Sequence, residues 1–172
     1  MRLIKTITHK AINNPNGSTF YRRSARGIIL HGTNILLIYT KRYNDYSFPG
    51  GGVDTDEELV PGLQRELSEE IGASHTEILQ QFGYITEFKP SNKPEYDLIH
   101  MDSFFYVCNV DYDFQHANPE DYEVKNGSYP LWVNIDEAIS HNLSVLQKQE
   151  PSMGFSIERE TFVLQLIRKE LL

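Results

Sequence analysis

The sequence predicts an α/β sandwich in which a mixed β-sheet lies between helices. Short apolar runs bounded by turn residues recur along the chain and are typical of strands. Two longer segments, one ending at Ile71 and one spanning 157–171, have the residue spacing of amphipathic helices. Strands that alternate with two substantial helices favour a layered α/β fold. The 172 residues fit one such domain, expected over 1–172, and no repeat or long linker divides them.

Composition and charge narrow the possible functions. Apolar residues make up 40% and charged residues 23%, which is typical of a globular protein. The net charge of −8 excludes a duplex nucleic acid partner, although a small phosphorylated ligand can bind where cations offset the field. No apolar run approaches the ~20 residues of a membrane span, so we expect a soluble, cytoplasmic protein. A homodimer remains open, and Cys108, the only cysteine, is expected to be buried in a strand.

The first half of the chain predicts strands separated by turns. Segments 3–7 and 19–22 flank an asparagine- and glycine-rich turn. Segments 27–30 and 35–39 form a predicted hairpin, and their nearly continuous apolar residues indicate burial on both faces at the centre of a sheet. A glycine-rich loop at 48–52 then leads into the first helix.

That helix is expected to end at Ile71, because Gly72 suits a C-terminal cap. The later elements are predicted in the same way, from apolar runs and turn residues. They are strands at 78–85 and 99–110, an acidic turn-rich segment at 111–129, a strand at 131–135, a short helix at 136–139, and the last helix at 157–171.

The first helix carries a group of carboxylates. On a helical wheel, Glu69 and Glu70 fall at about 300° and about 40° from Glu66, so the three share one face. An apolar stripe formed by Leu63, Leu67 and Ile71 lies beside them. Like charges at this spacing repel, whereas a bound cation would reverse the cost. Three convergent carboxylates are the oxygen ligands that Mg²⁺ or Mn²⁺ prefers.

The glycine loop and the acidic helix together resemble the signature of a known family. Gly51, Glu57 and the run 65–73 have the spacing of the Nudix box, over residues 51–73. By composition these identities would coincide by chance at about 10⁻⁸ to 10⁻⁹ per start position. The likeness extends to the preceding hairpin, the 48–52 loop and segment 132–138.

The resemblance implies a Nudix-type α-β-α sandwich and a Mg²⁺-dependent hydrolase, with Mn²⁺ as a substitute. Its substrate would be a nucleoside diphosphate linked to a further group X: a nucleoside triphosphate, ADP-ribose, a dinucleoside polyphosphate or a nucleotide sugar. Glu66, Glu69 and Glu70 would hold the metal together with the Gly51 carbonyl. Either Glu66 or Glu70 would act as the base, and Glu57 would pair with Arg65 to fix the loop against the helix.

Two positions depart from the family pattern. Ala73 replaces a larger aliphatic residue, and Pro61-Gly62 stands where helix formers are common. If Thr55 caps the helix with Glu58 in a capping box, Pro61 should kink the helix or delay its start.

Substrate contacts are expected from two regions outside the box. Arg22 and Arg26, with Arg23 between them, flank an early strand and could reach phosphates. Glu123 lies in an acidic loop that in some Nudix enzymes supplies a further carboxylate, and Glu120 and Asp121 share that loop. A solvated surface is the alternative reading for each of these residues.

Three other functions compete with hydrolysis. A non-catalytic Nudix-like nucleotide-metabolite sensor would be favoured by loss of box carboxylates, which are all present. Isoprenoid diphosphate isomerisation usually uses an active-site cysteine, whereas Cys108 lies in a predicted strand. A calcium-stabilised surface helix would show no turnover. Pro90 lies near where ADP-ribose-type members often carry proline, but the proline-rich loop around it weakens this signal.

Overall fold

The computed structural model describes residues 1–172 and contains nine strands, four α-helices and one 3-10 turn. In chain order the strands are β1 (Leu3–Thr8), β2 (Thr19–Ile28), β3 (Leu30–His31), β4 (Asn34–Thr40), β5 (Asp45–Ser47), β6 (Gly50–Val53), β7 (Ala73–Pro90), β8 (Leu98–Tyr112) and β9 (Ser128–Asn134). The helices are α1 (Leu59–Ile71), α2 (Asp121–Asn126), α3 (Ile135–Lys148) and α4 (Ile157–Glu170), and the 3-10 turn is Phe114–His116. No helix is long and apolar enough to cross a membrane.

The strands form two sheets. The larger has the order β1-β7-β8-β2-β6, with β1 parallel to β7, β2 parallel to β8, and the other pairs antiparallel. The smaller is built around β4, which pairs with β3, β5 and β9. This arrangement confirms the predicted α/β fold with a mixed sheet.

The predicted hairpin of 27–30 with 35–39 is wrong in its first arm. β2 continues to Ile28 in the larger sheet, whereas Leu30 and His31 pair with β4 across the tight turn at 32–33, and the Ile29 carbonyl accepts the Leu36 N–H. The apolar run 27–30 therefore crosses from one sheet to the other. The prediction that 35–39 is central is confirmed, because Ile35, Leu36 and Leu37 are fully buried.

Two apolar clusters hold the layers together. One joins the sheets to α3 and α4, and includes Phe48, Phe105 and Leu164. The other lies under α1, where the predicted stripe of Leu63, Leu67 and Ile71 is fully buried. Cys108 belongs to this second cluster, and burial raises the pKa of its thiol to about 12, as expected for a packing residue and not for a nucleophile.

Helix α1 begins later than a Thr55 cap would place it. Its N-cap is Glu58, and Glu58 makes no side-chain cap hydrogen bond, so the proposed capping box with Thr55 is wrong. Pro61 is the third helical residue, within the first turn, where its missing N–H costs no helical hydrogen bond. The predicted delay of the helix start is thus confirmed, as is the left-handed cap at Gly72.

The acidic segment and the helix after β9 are more ordered than the sequence indicates. Segment 111–129 contains α2, which begins with a capping box between Glu120 and Glu123. The short helix expected at 136–139 is the start of α3, which runs for 14 residues. The last helix matches its prediction to within one residue.

Candidate active site

The predicted glycine loop is largely a strand. β6 pairs with β2, and Gly50 stands opposite Arg26. Gly50 has a φ of 115°, and a Cβ there would collide with the carbonyl oxygen of Ala25. Its N–H donates to Oε2 of Glu70 at 2.6 Å. The loop thus presents its main chain directly to a box carboxylate.

Gly51 allows a second close approach between main chain and carboxylate. A Cβ on Gly51 would overlap the Glu66 carboxylate, so any other residue would displace that carboxylate from the loop. Glu66 and Glu70 therefore meet consecutive residues of the loop, as two neighbouring positions on one helix face allow.

Arg65 links the loop, α1 and the carboxylates. It binds Glu57 through two hydrogen bonds of 3.1 and 3.0 Å, so the predicted pairing is present. The same guanidinium donates to the carbonyl of Gly52 at 3.0 Å. Its Nη1 also reaches Glu66 Oε1 at 2.8 Å and Glu69 Oε2 at 3.3 Å. The hydrogen bonds from Arg65 lower the pKa of Glu57.

The pKa values of Glu66 and Glu70 are raised, in contrast to that of Glu57, because burial disfavours their charged forms. It raises the pKa of Glu66, against the opposing effect of Arg65. It raises the pKa of Glu70 well above its usual value, and the nearby Glu123 carboxylate adds to the shift. Arg26 and the Gly50 N–H oppose it. The site therefore holds carboxylates whose negative charge is only partly compensated by the protein.

The structure does not bring Glu66, Glu69 and Glu70 together in one cluster. No three histidine, cysteine, aspartate or glutamate side chains are gathered in a metal-binding arrangement. Glu66 and Glu69 both contact Arg65, whereas Glu70 points to Gly50 and Glu123. Glu69 forms no hydrogen bond with the glycine loop, because its one side-chain hydrogen bond is the 3.3 Å contact with Arg65.

A cavity of about 1020 Å³ opens beside the loop and is lined by Gly50, Gly51, Glu66 and Glu70. Six cationic side chains and four carboxylates line this cavity, in a chain of net charge −8. Two of the six, Arg65 and Arg159, already form ion pairs with carboxylates, whereas the other four form none and could meet an anionic ligand. The cations are Arg22, Arg23, Arg26, Arg65, Lys89 and Arg159.

The predicted substrate residues Arg22 and Arg26 both line the cavity, and Lys89 joins them from β7. None of the three forms an ion pair with a carboxylate. Arg26 donates to the carbonyls of Phe48 and Gly50, and its buried Nε has no partner. Burial lowers the pKa of Lys89, and the charges of Arg159, Arg22 and Arg26 also act in that direction. Arg23, by contrast, is occupied by the carbonyls of 54, 55 and 57.

The acidic loop supplies one residue to each of two cavities. Glu120 lines the large cavity, whereas Glu123 is buried and lines a smaller one of about 210 Å³ that also borders Glu70. Glu123 Oε2 accepts the N–H of Glu120 at 2.8 Å, which fixes the start of α2. Asp121 is exposed and lines neither cavity.

Sequence reasoning missed Lys89 and Arg159. Lys89 stands two residues after Glu87 and four after Ile85, on one face of β7, and this alternation was an available signal. Arg159 lies in a helix whose neighbouring charges resemble a solvated face, so nothing local indicated its position in the cavity wall.

The fold of this chain is similar to the folds of several solved structures. The chain is similar to the solution structure of the E. coli ORF135 protein, with 16% identity and a TM-score of 0.51, over 87% of this chain and 92% of that one. It is also similar to a MutT NUDIX hydrolase from Burkholderia pseudomallei, with 20% identity and a TM-score of 0.46, over 68% and 85% of the two chains. An ADP-ribose pyrophosphatase from Streptococcus suis has 21% identity and a TM-score of 0.47, over 67% and 75%. Only the first of these TM-scores exceeds 0.5, and at 16% identity that likeness concerns the fold alone.

The family is shown by sequence. No curated protein matches the chain significantly. The family model described as the NUDIX domain matches residues 21–153, which is more than half of the 172 residues and includes the loop, α1 and α2. The chain therefore belongs to the Nudix family, which confirms the predicted class of hydrolase acting on phosphoanhydride bonds.

Proposed function

We propose that this chain, as one Nudix domain over 1–172, hydrolyses the pyrophosphate bond of a nucleoside diphosphate derivative with Mg²⁺ as cofactor. One observation carries the proposal. Glu66 and Glu70 meet the main chain of Gly50 and Gly51 at the wall of a cavity that is also lined by cations without an ion pair. Hydrolysis of a pyrophosphate bond requires carboxylates that bind a metal cation and, next to them, cationic side chains that bind phosphates.

Nudix hydrolases generally use divalent metals. The residues present fit such an ion, because burial raises the pKa values of Glu66 and Glu70, and a cation would offset that cost. Glu66 and Glu70 would hold it with the Gly51 carbonyl, and Glu69 would join if it left Arg65. When bound, the ion neutralises phosphate charge and polarises the bond under attack. We propose Mg²⁺ first and Mn²⁺ as a substitute, because both prefer oxygen ligands.

The protein's own residues would supply positioning and proton transfer. Glu66 or Glu70 would accept the proton of the attacking water, since each is a carboxylate at the cavity wall. Arg65 would keep Glu57 and the Gly52 carbonyl in place and so hold the loop against α1.

The substrate would bind through its phosphates to the unpaired cations. Arg22, Arg26 and Lys89 repel one another in the cavity, and an anion between them would relieve that repulsion. This supports a small nucleotide as substrate. Nucleoside triphosphates, dinucleoside polyphosphates, ADP-ribose and nucleotide sugars all carry the required diphosphate, and the assay panel should include each of them.

The test is phosphate release from that panel with Mg²⁺ and with Mn²⁺. Glu70→Gln is the test variant, and Glu58→Gln is its matched control because Glu58 is exposed and lies outside both cavities. We expect turnover of at least one compound by the wild type and by Glu58→Gln, and a loss of about 10²-fold or more in Glu70→Gln. Equal rates in the two variants would contradict the proposed site. Tight binding of a panel member with no turnover would instead identify a nucleotide-metabolite sensor.

A further inference from the structure

A buried group of charged residues joins the last helix to the larger sheet. Arg159 and Glu160 of α4 and Glu87 of β7 are at most 2% exposed. Arg159 donates to Glu87 through Nη1 and to Glu160 Oε1 through Nε at 3.1 Å. Burial alone would raise the pKa of Glu87, but the hydrogen bond from His9 and the charge of Arg159 outweigh it and lower the pKa. One guanidinium therefore pairs with two buried carboxylates, and breaking either pair would leave a buried charge without its partner.

The second oxygen of Glu160 is used outside that unit. Glu160 Oε2 accepts the N–H of Phe48 at 3.2 Å, across a separation of 112 residues. Phe48 is fully buried and stands two residues before Gly50. A buried N–H left without an acceptor is costly, so Glu160 determines where this part of the loop lies.

The contact continues from Phe48 to the carboxylates of the proposed site. The carbonyls of Phe48 and Gly50 both accept from Arg26, and the Gly50 N–H donates to Glu70. A continuous series of hydrogen bonds thus runs from Arg159 through Glu160 and the loop to Glu70. Each link fixes the position of the next, because every group in it is buried or partly buried.

We propose that Glu160 is a positioning residue for the active site: it holds segment 48–50 so that Gly50 and Gly51 meet Glu70 and Glu66. This inference rests on the proposed hydrolase function. It assigns a role to α4, which lies beyond the residues 21–153 that match the family model. Glu160 itself does not line the cavity, so its effect would act through the loop.

The chain offers a matched control in Glu87. Both carboxylates are fully buried and both bind Arg159, but Glu87 makes its other hydrogen bond to His9, at 3.3 Å, and does not touch the loop. Glu160→Gln and Glu87→Gln remove the same charge from the same partner. In Glu160→Gln one of the two oxygen positions, which now serve Arg159 and Phe48 separately, becomes an NH2 donor that can accept from neither.

The kinetic test compares the two variants at a temperature where both remain folded by circular dichroism. In Glu160→Gln we expect kcat to fall about 10- to 100-fold with KM within about 3-fold, because the loop is displaced from the carboxylates while the phosphate-binding cations remain. In Glu87→Gln we expect kcat within about 3-fold of the wild type. Equal losses of kcat in the two variants would overturn the proposal.

A second readout does not depend on activity. Hydrogen exchange of the Phe48 and Gly50 amides should accelerate about 10-fold or more in Glu160→Gln, relative to the amides of β4, and should not do so in Glu87→Gln. Unchanged exchange at Phe48 in Glu160→Gln would overturn the positioning role even if the enzyme is active. If no compound of the panel is hydrolysed by the wild type, the proposed function fails, while exchange still decides whether Glu160 holds the loop.

Discussion

Helices α1 and α4 both place charged residues beside an apolar face, but the two groups of charges are compensated differently. The carboxylates of α1 stand at a cavity wall, where burial raises the pKa values of Glu66 and Glu70. Arg159 and Glu160 of α4 are buried and paired, together with Glu87. The difference teaches that a carboxylate at a cavity wall is available to a ligand, as we propose for α1, whereas carboxylates buried against an arginine are suited to holding elements in place, as we propose for α4.

The largest effect should come from neutralising the carboxylates of α1. Glu66→Gln or Glu70→Gln should lower kcat by about 10² to 10⁴-fold, because each removes a proposed metal ligand and a candidate base. The free energy of unfolding should not fall with kcat, because burial raises the pKa of both carboxyls and the amide removes the cost of burying a charge. Steady-state kinetics and urea denaturation measure the two quantities. A variant that is fully active would remove that residue from the site.

Arg159→Met should have the largest effect on stability. It leaves the buried carboxylates of Glu87 and Glu160 without their cation, and breaking such a unit costs about 3 to 5 kcal/mol. Arg65→Met is the comparison in α1, where the arginine side chain is 36% exposed and its ion pairs contribute about 1 kcal/mol or less. Urea denaturation of both variants measures the loss in free energy of unfolding. A smaller loss in Arg159→Met than in Arg65→Met would contradict the prediction.

Asp45 provides a pH-dependent test of the same buried region. Burial, followed by the charge of Glu160, raises the pKa of Asp45 from 3.8 to about 7. A carboxyl whose pKa is raised on folding stabilises the protein fully below its unfolded pKa, and this contribution is lost as pH rises through about 7. The wild type should therefore lose stability between pH 4 and pH 8, whereas Asp45→Asn should not lose this contribution. The difference in free energy of unfolding between the two proteins should shift in favour of Asp45→Asn by on the order of 2 to 4 kcal/mol over that range. Denaturation curves for both proteins at the two pH values measure it, and a constant difference would show that Asp45 does not titrate in this range.

The smallest of these effects is expected at Lys89. Lys89→Met keeps the aliphatic stem but removes a charge from the cavity wall, so KM for the best substrate should rise about 10-fold, which corresponds to about 1.4 kcal/mol. The value of kcat should change less, because Lys89 is not among the proposed metal ligands. Thr86→Val, on the same strand but outside the cavity, is the control. An unchanged KM in Lys89→Met would exclude it from substrate binding.

Features that depend on local sequence could be predicted. The buried stripe of α1 and the delayed helix start before Pro61 follow from spacings of a few residues, and the pairing of Glu57 with Arg65 follows from the resemblance to the Nudix box. The glycine loop was found for the same reason, although its pairing with β2 makes it a strand. Short-range periodicity and turn chemistry are visible in a single sequence.

Features that depend on distant contacts could not be predicted. Glu160 meets Phe48 across 112 residues and Arg159 meets Glu87 across 72, and nothing in their neighbourhoods indicates these partners. Adjacent charges such as Arg159-Glu160 usually face water, so their residue types alone do not indicate burial. The division of 27–30 between two sheets likewise depends on strand pairing and not on local preference.

The central claim is that Glu66, Glu70 and the glycine loop bind a divalent metal, and Mn²⁺ binding measured by electron paramagnetic resonance tests it most directly. We expect the wild type and Glu58→Gln to bind Mn²⁺ alike, with Mg²⁺ competing for the site. In Glu66→Gln and Glu70→Gln the affinity should fall about 10-fold or more, because each loses a charged ligand. Equal Mn²⁺ affinity in all four proteins would contradict the account.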